Sequence, residues 1–387
     1  MTGRERLMAT LRGQEVDRPA VNFYEIGGFA VNPSDPAPFN VYNDPSWQPL
    51  LQLAEEQTDL IRMRSPVKVR SYDVELHPKT SSREEFFKVE EYTEKGHLIT
   101  HTTLEIAGRT MTSLTRRDSD IDTLWTLEHL LKNLDDLRAY LKLPDEVFTE
   151  EIHIDNLLQE DEELAERGIV MVDTEDPLCA AASLFSMEDF TIIALTEQKL
   201  FHTLLEKLCR HIYARTEKTA KAFPGHLWRI YGPEYAAEPY LPPHLFKEYV
   251  VRYTGPMVET IQKYGGFARV HCHGRIRAVL DHIVEMRANA IDPLEPPPQG
   301  DVTLEYVRSK YGRELVLFGN IEMADIENTE PKQFEKIVEK AIRDGTKGRG
   351  RGFVLMPSSA PNGRTITPGV MANYETMVRL TTRFKLV

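Results

Sequence analysis

The feature that most restricts the fold is a change of rhythm at Gly168. From there to the C-terminus, short apolar runs such as Ile169-Val170-Met171-Val172 alternate with longer segments of helical spacing. With two earlier strand segments the chain offers eight, near residues 20, 59, 169, 227, 268, 290, 315 and 353. Strands separated by helices pair in parallel with the helices outside, and eight such units close a (β/α)8 TIM barrel. The expected fold is therefore α/β, one barrel domain over residues 1–387. After the second strand, residues 84–117 change to β-branched and aromatic residues at period two, which predicts an inserted antiparallel meander of three strands. A helical connection over 120–166 follows, with helices at 127–141 and 150–166. Beyond it, helices are expected at 178–194, 198–223, 245–264, 276–286, 304–311 and 334–344. The last helix starts at Thr367-Pro368, a capping hydroxyl followed by proline at the first helical position.

Composition removes several function classes. A formal charge of −13 opposes a nucleic-acid or anionic-membrane partner. Three cysteines, Cys179, Cys209 and Cys272, suit a reduced, cytoplasmic protein without structural disulfides. Neither a signal-peptide core nor an apolar run of about eighteen residues is present, so no membrane span is expected. No Gly-x-Gly-x-x-Gly follows the first strand and there is no P-loop. The glycine run with basic residues at 347–352 precedes a strand and reads as a solvated turn on the barrel's non-catalytic end. The proline- and asparagine-rich loop 32–47 is long enough to be either disordered or functional.

Barrel active sites form where strands end on their C-terminal side. Those positions hold Tyr24 and Glu25, then Asp173, Glu175 and Asp176, then Glu234 and Tyr235. They continue with His271 and His273, Asp292 and Glu295, Asn320 and Glu322, and Ser358 and Ser359. In the run Phe267 to Gly274 the strand period sends His271 and His273 to one face and Cys272 to the other. Two imidazoles and one neighbouring carboxylate meet the needs of a catalytic zinc, which keeps three protein ligands and an open position. Glu295, followed by three prolines that restrict its backbone, is the first candidate for the third ligand, and Glu234 the second. Iron, nickel and cobalt suit the same set.

Five segments resemble the uroporphyrinogen decarboxylase superfamily. They are Asp17-Arg18-Pro19, Gly232-Pro233-Glu234, His271 to Gly274, Gly319-Asn320 and the closing strand with its proline-containing loop. The resemblance runs from residue 4 to the C-terminus. That superfamily includes cobalamin-dependent methyltransferases, and the departures favour this branch. Its decarboxylases carry an arginine-rich stretch after the first strand for a substrate with many carboxylates; here Phe23-Tyr24-Glu25-Ile26-Gly27-Gly28-Phe29 has no arginine. The methyltransferase zinc motif, His-x-Cys-Gly with a later cysteine, is matched by His271, with His273 in the cysteine's place and Ser358 or Ser359 at the later position. Such a set is less thiophilic than thiolates and suits an oxygen ligand.

The resemblance implies a corrinoid-dependent methyltransferase, the O-demethylase component that removes a methyl group from a methoxylated, aromatic small molecule. The metal would polarise the ether oxygen while Co(I) of cobalamin, carried by a separate corrinoid protein, takes the methyl group. Glu234 is then the expected proton donor and Glu295 the second catalytic carboxylate. Tyr24, Phe29, Tyr235, Tyr240 and Asn320 would contact substrate. Two alternatives stay open: a decarboxylase of a smaller acid, and a non-catalytic barrel that serves as a scaffold for a corrinoid protein.

Overall fold

The computed structural model describes residues 1–67, 81–348 and 352–385. Its strands are β1 (Ala20–Val21), β2 (Leu60–Arg64), β3 (Phe87–Glu94), β4 (His97–Ile106), β5 (Arg109–Arg117) and β6 (Leu124–Glu128). They continue with β7 (Gly168–Glu175), β8 (Leu227–Tyr231), β9 (Phe267–His271), β10 (Ala290–Asp292), β11 (Val316–Ile321) and β12 (Phe353–Pro357). Eight of them form one curled parallel sheet in the order β1-β12-β11-β10-β9-β8-β7-β2. Helices cover its outer face, and the expected TIM-barrel architecture is the one observed.

Alternation inside each strand separates two cores. Ile169 and Met171 of β7 face inward with Leu227, Ala290, Val316, Phe318, Val354 and Met356, while Val170 and Val172 pack outward under the helices. Strands buried on both faces carry such continuous apolar runs. Leu7 and Leu11 of the helix Gly3–Leu11 join the inner cluster and close the barrel's N-terminal end. The seam between β1 and β2 is tied by single contacts. The Asp59 N–H donates to the Val21 carbonyl at 2.8 Å, the Asp59 carboxylate accepts from the Val21 N–H at 2.9 Å, and the Asn22 amide donates to the Asp59 carbonyl at 3.0 Å. Asp59 also binds Arg6 and Arg18, so one buried carboxylate joins the first helix to the seam.

The inserted sheet has four strands, in the order β3-β4-β5-β6. The fourth replaces the start of the helix expected at 127–141. Leu124 and Trp125 pair with Arg117 and Arg116, and the helix begins at Leu134, where the Asn133 side chain accepts from the N–H groups of Asp135 and Asp136. The helix expected at 150–166 spans Asp155–Leu164. The helix expected at 178–194 is two, Pro177–Ala182 and Met187–Thr196, because Ser186 caps a new start. The segment 245–264 passes through a π-helical turn, Lys247–Val251. Loop 32–47 is folded. Arg364 fastens it by donating to Asn43 and to the Pro38 carbonyl, and Trp47 donates back to the Arg364 carbonyl. In the basic glycine turn, residues 349–351 lie outside the described ones.

The final helix, Pro368–Arg383, is capped by Thr367, whose hydroxyl accepts from the Val370 N–H at 3.2 Å. Thr367→Ala is expected to lower stability by about 1 kcal/mol, read as a shift of the urea unfolding midpoint at constant slope.

Candidate active site

The strand register assembles the mouth. His271 closes β9, flanked in register by Tyr231 of β8 and Asp292 of β10. His273 lies two residues further, and the two imidazole rings stand edge to face with centroids 4.5 Å apart. Cys272 turns away into the outer core.

Each imidazole is held by a carboxylate through Nδ1. His271 Nδ1 is 2.8 Å from Asp292 Oδ2, and the other Asp292 oxygen lies 3.0 Å from Arg269 Nε. Burial drives the His271 pKa down to about 3, and Arg229 adds to that, so its contact with Asp292 is a neutral N–H donated to a carboxylate. Burial acts to raise the Asp292 carboxyl, but Arg269 and then His271 outweigh it and hold it at about 2. His273 behaves in the opposite sense. Its Nδ1 lies 2.7 Å from Glu295 Oε1, and this hydrogen bond overcomes burial to raise the imidazole above its ordinary value. Glu295 Oε2 accepts the Gly274 N–H at 2.6 Å, so both carboxylate oxygens are engaged. Tyr24 places its hydroxyl 3.5 Å from His271 Nδ1 from a left-handed backbone, φ 58°. A side chain at positive φ is uncommon outside turns and functional sites.

Three more carboxyls surround the dyads. Burial raises Glu25, whose Oε2 accepts from the Ala360 N–H, and raises Glu234, whose Oε2 accepts from the Gly232 N–H. Burial and the charge of Glu295 push Glu322 up to about 7, and the Ser358 hydroxyl donates to it. Burial disfavours the ionised form, so each holds a proton more tightly than a free carboxyl does.

The zinc expectation can be compared with this geometry. Both imidazoles keep Nε2 free of protein hydrogen bonds among the described residues, and a carboxylate on Nδ1 is the usual support of a metal-binding histidine. The donor chemistry fits. Among the described residues, however, no three ligating side chains stand together, and Glu295 is turned to His273 and Gly274.

Of the aromatic residues expected to wall the pocket, Tyr24 is at the site and Phe29 packs against the barrel interior. The Tyr235 ring packs edge-on to Phe190, and Tyr240 is 41% exposed. Asn320 is the penultimate residue of β11, in register with Met356 and half-buried. Sequence reasoning missed Arg229 and Arg269. Each is a lone charge inside an otherwise apolar strand, at the position whose neighbours two residues away face the interior, and that was a legible sign of an inward-facing charge.

No curated protein matches the chain. Among solved structures, a methyltransferase from Methanosarcina mazei superposes with a TM-score of 0.59 at 14% identity, covering 99% of this chain and 98% of that one. A Vibrio cholerae LapD S helix-GGDEF-EAL structure, at 13% identity, covers 77% of this chain and 52% of that one; its TM-score of 0.25 carries no argument. The family model described as uroporphyrinogen decarboxylase matches residues 127–373. That match spans more than half of the chain and so includes the strands bearing Arg229, His271 and Asp292: the protein belongs to the uroporphyrinogen decarboxylase (URO-D) family.

Proposed function

We propose that the protein is a methyltransferase that removes the methyl group of a methoxylated aromatic compound and passes it to the Co(I) corrinoid of a partner protein. One observation carries this reading. At the rim after β1, where a substrate with many carboxylates would need guanidinium groups, the chain sets Tyr24 and Glu25, and beside them stand an imidazole pair and carboxyls whose pKa burial raises. The end-to-end likeness of fold to a protein described as a methyltransferase supports the reaction class.

In the reaction the C–O bond of the ether breaks, the methyl carbon bonds to the partner's cobalt, and the electron pair of the broken bond stays on oxygen. A phenolate is a better leaving group when a proton meets it, and a positioned acid contributes about 100- to 10,000-fold. His273, held by Glu295, presents its second nitrogen to the mouth. Burial raises Glu234 and Glu322, and both interact electrostatically with His273, so both can resupply the proton. Zinc held by His271, His273 and Glu295 would be an alternative to the proton from His273, supplying Lewis acidity at the ether oxygen; Glu295 would then have to leave His273 and Gly274. The buried Tyr24 ring shields the departing oxygen from water.

The proton store gives a pH signature. Glu322 is useful in its protonated form, so activity is expected to be full below pH 7 and to decline as pH rises through about 7. Glu322→Gln removes that limb from the pH–rate profile; an unchanged profile would assign the proton elsewhere. The reading as a whole is tested by incubating the protein with a methoxyarene and a reduced corrinoid and identifying the products. Free phenol with a methylated corrinoid supports it. Release of CO2 from a carboxylated substrate without corrinoid would instead make the protein a decarboxylase of a small acid.

A further inference from the structure

Away from the mouth, the barrel carries a cleft of about 650 Å³ at its opposite end. Small-molecule sites occupy roughly 300–1,000 Å³. The cleft opens beside the N-terminal ends of β9, β10 and β11, among the C-terminal ends of the helices Arg252–Lys263, Leu280–Glu285 and Leu304–Tyr311. Val284 and Ala288 give it apolar surface, and Gln262, Arg287, Asn289 and Glu314 share the lining.

The two amides are fixed in place. Asn289 Oδ1 accepts from the Ala268 N–H at 2.9 Å and from Gln262 Nε2 at 2.8 Å, and the same Nε2 donates to the Arg287 carbonyl at 2.7 Å. The Asn289 backbone is tied to both neighbouring strands, through the Ala268 carbonyl and the Val316 N–H. Among the described residues, Asn289 Nδ2 is left as a free donor and Gln262 Oε1 as a free acceptor. The charged groups are free as well. The Arg287 guanidinium and the Glu314 carboxylate line one cleft, yet neither has an ion-pair or hydrogen-bond partner among the described residues, not even in the other.

Arg287 also holds a left-handed backbone, φ 60°. It follows the cap of the helix Leu280–Glu285, and its N–H closes the turn on the Val284 carbonyl at 2.8 Å. Glycine takes such a position without steric cost and arginine does not. The helix end therefore gives no reason for this side chain, and a backbone outlier of this kind points to a use for it.

We propose that the cleft binds a small zwitterion, an α-amino acid with an apolar side chain. Its carboxylate is taken by Arg287 and Asn289 Nδ2, its ammonium by Glu314 and Gln262 Oε1, and its aliphatic group by Val284 and Ala288. A guanidinium fork suits a carboxylate, and a ligand of one charge would leave either Arg287 or Glu314 unpaired. The site lies at the far end of the barrel from the imidazoles, so the inference does not depend on methyl transfer.

The test is calorimetric titration of the full chain with three probes: L-valine, isovalerate, which lacks the amino group, and isobutylamine, which lacks the carboxylate. Valine is expected to bind at least about tenfold more tightly than either, the effect of one charge-assisted hydrogen bond. Arg287→Gly removes the side chain where the backbone favours glycine. That variant should unfold no earlier in urea than the wild type, while its affinity for valine falls at least about tenfold. Glu314→Gln should bring valine down to the affinity of isovalerate. No binding of valine to the wild-type protein, equal binding of valine and either half-ligand, or unchanged valine affinity in Arg287→Gly overturns the site.

Discussion

Replacing Asp292 by alanine is expected to destabilise the fold by about 3–5 kcal/mol, the usual cost of breaking a buried ion pair from one side. Asp292 and Arg269 are both 0% exposed, and the carboxylate also holds the His271 imidazole at 2.8 Å. Without it, the buried Arg269 guanidinium has only Met356 Sδ as acceptor among the described residues, and His271 loses the group that fixes its ring. Asp292→Asn keeps the volume and one acceptor and should lose less. Removing both charges in Arg269→Met/Asp292→Leu should recover most of the loss, because well-packed apolar pairs replace buried ion pairs at little cost. Urea unfolding of the four proteins checks this; an Asp292→Ala midpoint within error of wild type would mean that Arg269 is compensated by something other than Asp292.

The second large effect concerns chemistry. His273→Ala is expected to lower methyl transfer by about 100- to 10,000-fold and to leave stability nearly unchanged, since its side chain is 38% exposed. Glu295→Gln keeps a partner for His273 but gives up the charge that raises it, and should cost about 10- to 100-fold, as outer partners of functional histidines do. Elemental analysis of the same proteins separates the two roles of the imidazoles. If zinc is bound, the wild-type protein carries it in stoichiometric amount and His271→Ala/His273→Ala loses it. If zinc is not bound even after reconstitution, the rate loss in His273→Ala belongs to proton delivery alone. A His273→Ala enzyme with wild-type rates would remove His273 from the site.

What the sequence revealed follows from periodicity. The pattern Ile169-Val170-Met171-Val172 carries both faces of a barrel strand, and the same alternation put His271 and His273 together and Cys272 away from them. Local capping rules found Thr367. The misreadings came from competing local signals. Leu127 begins a run with helical spacing, yet Trp125 and Leu124 pair with Arg116 and Arg117, and only the cap at Asn133 marks the true helix start. Other features depend on three-dimensional contact and were beyond any local pattern. Glu295 was assigned to a metal, but whether its oxygens face a metal, an imidazole or the Gly274 N–H is fixed by the loop after β10. The link of Arg364 to loop 32–47 joins residues more than 300 positions apart. Arg229 and Arg269 lay in plain view, and their significance appears only when their neighbours prove to be methionine sulfurs.

Transfer of an ether methyl group to a corrinoid leaves a traceable carbon. The most direct measurement is isotope tracing: the protein is incubated with a methoxyarene labelled in its methyl carbon and with cob(I)alamin, and the corrinoid is analysed by mass spectrometry. Label is expected on the cobalt-bound methyl group in proportion to phenol formed, appearing about 100- to 10,000-fold more slowly with His273→Ala. Unlabelled corrinoid and intact ether, with the protein folded and zinc supplied, would contradict it.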